Sequence, residues 1–154
     1  VAPLKSDEEF MHLALEQAEL AGARGEIPIG AIVVDETGAV IAAAGNSRDE
    51  LTDPTAHAEV LALRAAALVR GDRLLTGCTI YVTLEPCPMC AGAVVMSRVD
   101  RLVFGAWNEE YGAAGSRWDI VRDRRLSHRP EVLAGVLADE CGEIVRTFLA
   151  DRRS

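Results

Sequence analysis

No stretch of this 154-residue chain approaches the roughly 20 consecutive apolar residues that a membrane-spanning helix needs. The N-terminal segment is polar and acidic, without the cationic-then-apolar layout of a signal peptide, so the expected home is the cytoplasm, with no membrane partner. A disulfide framework is also missing. Of the four cysteines, Cys87 and Cys90 form a pair, while Cys78 and Cys141 stand apart without framework spacing. Positive charge is scarce: 16 Lys and Arg against 24 Asp and Glu leave a net charge of −8, which disfavours non-specific adhesion to nucleic acid. A local patch can depart from that average, and Arg146, Arg152 and Arg153 form one candidate cluster. There is no internal repeat, low-complexity tract or linker. A hydrophobic fraction of 49% with 26% charged residues suits one compact domain with a substantial core.

What is present reads as layered α/β structure. From Ser6 to about Ala23, Phe10, Leu13, Ala14, Ala18 and Ala21 recur at helical spacing, with Ser6 and Glu9 placed as a capping box. Ile29 to Val34 and Val40 to Ala44 are short apolar runs joined by Asp35-Glu36-Thr37-Gly38, which predicts a hairpin. Asp53-Pro54-Thr55 precedes an Ala- and Leu-rich run from Ala56 to Val69, so Asp53 or Thr55 is expected to start a helix that Gly71 ends. Cys78 to Leu84 is a β-branched and aromatic run, and Pro88 to Met96 a helical stretch with proline at its first position. Val99 to Phe104 predicts a strand, Gly105 to Arg117 a Gly-rich loop, Val132 to Val136 a last strand, and Ala138 to Leu149 a closing helix.

The chemistry lies in His57-Ala58-Glu59 and Pro86-Cys87-Pro88-Met89-Cys90. Catalytic zinc takes three protein ligands and keeps a fourth position for water, and His57, Cys87 and Cys90 are three. Both segments fall at expected helix starts, where partial positive charge favours the thiolate forms that bind metal. Zinc lowers the pKa of its water from ~15.7 towards ~7, and a carboxylate that touches the water without binding metal can then move its proton. Glu59, two residues from His57 at the helix mouth, is placed for that role. The pattern His-x-Glu with Pro-Cys-x-x-Cys is that of zinc nucleobase deaminases, which add hydroxide to an amidine-like carbon and lose ammonia.

Plainer readings stand beside this one. A Cys-x-x-Cys alone also suits a redox pair or half of a structural zinc site, but a fourth ligand would have to come from Cys78, Cys141, His12 or His128, none at ligand spacing. Cys78 and Cys141 read as buried, inert thiols. His12 reads as solvated on the polar side of the first helix, and His128 as solvated in an arginine-rich loop where Asp119, Asp123 and Glu131 intersperse Arg122, Arg124, Arg125 and Arg129.

These residues resemble the cytidine deaminase superfamily, specifically its bacterial tRNA-specific adenosine deaminase (TadA-type) branch. The likeness runs through Ile27 to Ala31, Gly45-Asn46, Asp53 to Glu59, Tyr81 to Cys87, Val103 to Ala106, Gly112 to Ser116 and Leu137 to Cys141. The His-x-Glu and Pro-Cys-x-x-Cys parts mark only the superfamily; the Gly-Ala-Ala-Gly-Ser loop and the Asp-Glu-Cys helix start are more specific to the tRNA branch. The resemblance implies a three-layer α/β/α fold around a five-stranded mixed sheet, and conversion of adenosine to inosine at the wobble position of a tRNA anticodon stem-loop, typically of an arginine tRNA. It implies a homodimer with one zinc ion per subunit, held by His57, Cys87 and Cys90, and Glu59 as proton shuttle. It also implies substrate contacts from Asn46 and the Ala58 main chain, with Asn108, Phe148, Arg152 and Arg153 as further candidates. Asn108 stands where relatives often carry an acidic residue, so weaker discrimination of the ribose 2′-hydroxyl is expected. Trp107 and Tyr111 are aromatic groups for base stacking or for a dimer interface. The rivals are a guanine or other free-base or nucleoside deaminase and a non-catalytic zinc-binding subunit.

Overall fold

The computed structural model describes residues 3, 4 and 6–153. In chain order it contains α1 (Asp7–Ala23), β1 (Gly30–Val34), β2 (Val40–Gly45), α2 (Ala58–Arg70), β3 (Thr79–Leu84), α3 (Pro88–Ser97), β4 (Arg101–Ala106), a short 3-10 turn (Ile120–Arg122), β5 (Glu131–Ala134) and α4 (Ala138–Arg153). The five strands form one sheet in the order β2-β1-β3-β4-β5. β1 runs antiparallel to both β2 and β3, whereas β3, β4 and β5 are mutually parallel. The sheet is therefore mixed, as expected.

Alternation along the strands divides the core into two layers. Ala31, Val33, Ile80, Val82, Leu102 and Phe104 face α2 and α3. Ile32, Val34, Tyr81 and Val103 face the opposite way, where Met11, Ala14 and Leu15 of α1 and Cys141 of α4 meet them. Because β1 is covered on both sides, all five of its residues are buried and its sequence is continuously apolar. Gly30 lets α1 lie directly on the strand, since a Cβ there would collide with the Ala14 carbonyl oxygen.

Several local expectations give way to longer-range contacts. Ser6 makes no side-chain cap, so the Ser6–Glu9 box does not form. The first turn is organised instead by Asp7, which is fully buried. It accepts from Leu4 N at 2.6 Å and Tyr81 Oη at 2.7 Å, and from Arg101 through both carboxylate oxygens at 3.0 and 3.2 Å. Helix α2 starts at Ala58, because Asp53 turns back to accept from Thr55 N and Oγ1, both at 2.8 Å. Gly71 does end that helix, in the left-handed region at φ 67°. The last strand ends at Ala134 and not at Val136, since Gly135 turns at φ 86° and the N–H groups of Gly135 and Val136 both point to the Phe104 carbonyl. Helix α4 continues past Leu149 to Arg153.

His128 differs from the solvated reading. It is half-buried, with Nε2 2.7 Å from the Val99 carbonyl, a tie between the loop and the start of the β4 region. His12 is exposed, and Cys78 and Cys141 are buried free thiols.

Candidate active site

β2, β3 and β4 run in one direction and end at the same edge of the sheet, the carboxyl edge where open α/β sheets place ligands. β2 leads into Asn46, β3 into Glu85-Pro86-Cys87, and β4 into the loop that begins at Trp107. Two helices start there. His57 is the N-cap of α2 and Cys87 the N-cap of α3, with Pro88 in the first turn as the sequence predicts.

The three expected ligands converge. His57 Nδ1 lies 3.7 Å from Cys87 Sγ and 3.4 Å from Cys90 Sγ, and the three donor atoms lie within 4.8 Å of one another. Zinc bonds of about 2.3 Å to sulfur and about 2.0 Å to nitrogen in a tetrahedron separate such donors by roughly 3.6 Å. The donor set thus fits zinc in both chemistry and size. Hydrogen bonding from Cys90 brings the Cys87 thiol down to about 4, against burial, and His57 adds to the effect; Cys90 is pushed up in return as it keeps the proton of the pair. The Cys87 sulfur and the carboxylate of Glu59 raise the His57 imidazole. These shifts come from the hydrogen bonds and charges that the crowded groups exert on one another, and from their burial.

Glu59 is only 4% exposed, and burial pushes its carboxyl above the usual carboxylate range. Among the described residues it meets little besides its own backbone N–H and the Cys90 thiol. Asn46, also buried, reaches the residue that precedes it. Its Oδ1 accepts from Ala58 N at 2.9 Å, capping α2 from 12 residues away, because the N-cap His57 makes no side-chain cap of its own. The Ala58 N–H is thereby already engaged, which leaves the Asn46 amide nitrogen as the donor that can turn to a ligand.

The remaining candidates lie further out. Asn108 is half-buried in the loop after β4; its Oδ1 accepts from Tyr111 N at 3.1 Å and closes a turn. Trp107 packs edge-on against Phe104 with centroids 5.0 Å apart, and both Trp107 and Tyr111 are exposed. On α4, the Arg152 guanidinium lies 4.7 Å from the Phe148 ring centroid and donates to the Gly25 carbonyl, so it fastens α4 to the loop after α1. The Arg153 side chain lies outside the described residues. Arg122 pairs with Asp119 and Arg125 with Asp123, which gives that loop a mixed face.

Sequence reasoning missed one group. Glu85, 1% exposed, accepts from Asn108 N, Ala114 N and Ser116 N, each at 3.0 Å, and from Ser116 Oγ. The available signal was a charged residue at the end of an apolar strand, followed later by the small-residue loop Gly112 to Ser116.

Comparison with known proteins places this geometry. The family described as the cytidine and deoxycytidylate deaminase zinc-binding region matches residues 4–106. The tRNA-specific adenosine deaminase of Haemophilus influenzae is 49% identical over 148 residues, covering 96% of this chain and 85% of that protein. The protein of the same name from Bacillus subtilis is 43% identical, covering 97% and 92%. Among solved structures, one from a study of A-to-I editing by tRNA:A34 deaminases at the wobble position of transfer RNA superposes with a TM-score of 0.85 at 44% identity, covering 88% of this chain and 98% of that one. A guanine deaminase from Nitrosomonas europaea superposes at 0.82 with 27% identity, covering 97% and 87%.

Proposed function

The chain belongs to the cytidine and deoxycytidylate deaminase family, and on that premise we propose that it is a zinc-dependent hydrolase converting adenosine to inosine in tRNA, with release of ammonia. The observation that carries the reading is Glu59, buried and with its carboxyl raised by that burial, in contact with one of three donors spaced for zinc, in a chain whose relatives are named tRNA-specific adenosine deaminases.

When bound by His57, Cys87 and Cys90, zinc supplies the Lewis acidity that makes water a nucleophile near neutral pH. The protein does the rest. Glu59 takes one proton from the attacking water and delivers it to the ring nitrogen beside C6, then carries the remaining proton of the added hydroxyl to the departing amine, so that the carbonyl forms as ammonia leaves; a carboxyl raised by burial suits both transfers. Asn46, its oxygen fixed by Ala58 N–H, offers its amide nitrogen to an acceptor on the flipped nucleoside. The Ala58 backbone lines the base edge. Asn108 lies beside the substrate backbone, with Phe148, Arg152 and Arg153 as outer contacts.

The substrate is an anticodon stem-loop with adenosine at the wobble position, typically of an arginine tRNA. An unstacked loop nucleotide suits a buried site that reads one base at a time. A single deaminase domain working as a homodimer in the cytoplasm completes the proposal. Support for the dimer comes from α3, whose exposed Met89 and Met96 leave an apolar stripe uncovered. The test is to incubate zinc-loaded protein with an anticodon stem-loop bearing a wobble adenosine, and in parallel with free guanine, cytosine and cytidine. Inosine in the stem-loop is expected; ammonia from a free base alone would move the protein to the guanine deaminase side of the family.

A further inference from the structure

The loop after β4 is held by an unusual device. Glu85 is the residue directly after β3 and two before the metal ligand Cys87. Its N–H continues the sheet by donating to the Ala106 carbonyl at 2.9 Å, which fixes its backbone against the end of β4. Its carboxylate then reaches into the loop and collects the N–H groups of Asn108, Ala114 and Ser116 together with the Ser116 hydroxyl. Pro86 adds a carbonyl that accepts from Ala113 N at 2.8 Å. No ion pair among the described residues includes Glu85, so its charge is met by oriented dipoles alone, as in an anion-binding nest. The fit is close enough that a Cβ at Gly112 would overlap the Glu85 carboxylate, which leaves glycine as the residue for that position.

This carboxylate decides where the loop's outward groups stand. Trp107, 49% exposed, is pinned between Phe104 on one side and Gly115 on the other, where a Cβ would come within 3.2 Å of the indole. The wrapped loop leaves a hollow of about 400 Å³ lined by Trp107, Glu109, Gly115 and Ser116, with an aromatic wall and polar edges. Aromatic faces of this kind stack bases without regard to sequence. The whole arrangement hangs from the two residues that precede Cys87, so loop and metal site share one anchor.

We propose that Glu85 is a positioning residue: by folding the 107–116 loop onto its carboxylate it presents Trp107 and the adjoining hollow to nucleotides that flank the reacting base, and so acts on substrate binding and not on the chemical step. The proposal rests on the reading that the substrate is a loop of RNA. Both carboxylate oxygens face donors, so Glu85→Gln keeps the volume but turns an NH2 group against N–H groups. Kinetics on the anticodon stem-loop, zinc content, and residue-resolved amide exchange are measured together. Expected for Glu85→Gln is a KM raised at least about tenfold with kcat within about threefold, as for loss of binding that is uniform along the reaction, and unchanged zinc content. Amide exchange at Asn108, Ala114 and Ser116 accelerates while the strands stay protected. Ser116→Ala, which removes one donor and leaves the carboxylate in place, raises KM about two- to fivefold in the same sense. If Glu85→Gln does not fold, Ser116→Ala and exchange in the unmodified protein decide. A KM unchanged in the variants, a loss confined to kcat, or loop amides that exchange freely in the unmodified protein would each overturn the proposal. Failure of the unmodified protein to form inosine in the stem-loop would instead sink the tRNA reading, with the exchange measurement still deciding the fold of the loop.

Discussion

Four carboxylates are buried among the described residues, Asp7, Glu26, Glu59 and Glu85, and they divide three against one. Asp7 is paid in full by Tyr81, Arg101 and Leu4 N. Glu26 gathers the N–H groups of Asp49 and Glu50, at 3.1 and 2.9 Å, and so holds the loop that follows Asn46. Glu85 does the same for the loop after β4. Glu59, as deeply buried, is met among the described residues by its own N–H and the Cys90 thiol and by no comparable set of loop amides. Burial disfavours the charged form of a carboxyl, and among these four it is Glu59 whose carboxyl is raised by it. Depth alone does not mark a reactive group; depth combined with a carboxyl raised by burial does, and here it coincides with the three donors that could hold a metal ion.

The comparison can be sharpened by stripping partners from the satisfied side. Asp7→Asn leaves Arg101, whose side chain is 13% exposed, with only the exposed Glu131 carboxylate, 3.9 Å away, as counter-charge at one end of the sheet. A loss of about 3 kcal/mol at neutral pH is expected, read from chemical denaturation of the zinc-loaded protein. Burial works to raise the Asp7 carboxyl, but the hydrogen bonds from Arg101, Tyr81 and Leu4 N outweigh it and hold the group below its ordinary value. Its stabilising contribution is therefore fully present above the unfolded carboxyl pKa of about 3.9 and fades as pH falls through the lower folded value. The gap between the two proteins should accordingly narrow below about pH 4; a gap that does not change with pH would contradict the assignment. Asn46→Ala is the smaller change, removing the remote cap on Ala58 for about 1 kcal/mol of stability. In the deamination assay it should cost more than that stability loss explains, because the proposed donor to the nucleoside is lost as well. A deficit in activity that vanishes once stability is restored would make Asn46 a cap and nothing more.

Much of this was legible in the sequence because the decisive spacings are local. His57 and Glu59 sit two apart, Cys87 and Cys90 three apart, and Pro88 and Gly71 mark a helix start and a helix end by their own backbone preferences. Hairpin and helix periodicity located the elements that carry them. Contacts that join distant segments left no such trace. The Asn46–Ala58 cap, the Asp7–Arg101 pair 94 residues apart and the Arg152–Gly25 tie 127 apart depend on which elements the sheet brings together. The Ser6–Glu9 box failed for the same reason: Tyr81 and Arg101 claimed Asp7, and the first turn was settled by tertiary contacts. Glu85 shows the limit most clearly. It stands inside the motif that identified the site, yet its work is done on residues 23 to 31 positions later.

The most direct measurement is on Glu59→Gln, which keeps the volume and removes the proposed proton carrier. Zinc per protomer and inosine formation on the stem-loop are determined side by side with the unmodified protein. The account predicts undiminished zinc and a fall in kcat of at least about 10²-fold, the scale of lost general acid–base catalysis. Undiminished zinc with undiminished inosine formation would contradict it, and would return Glu59 to the company of the three carboxylates that only hold the fold.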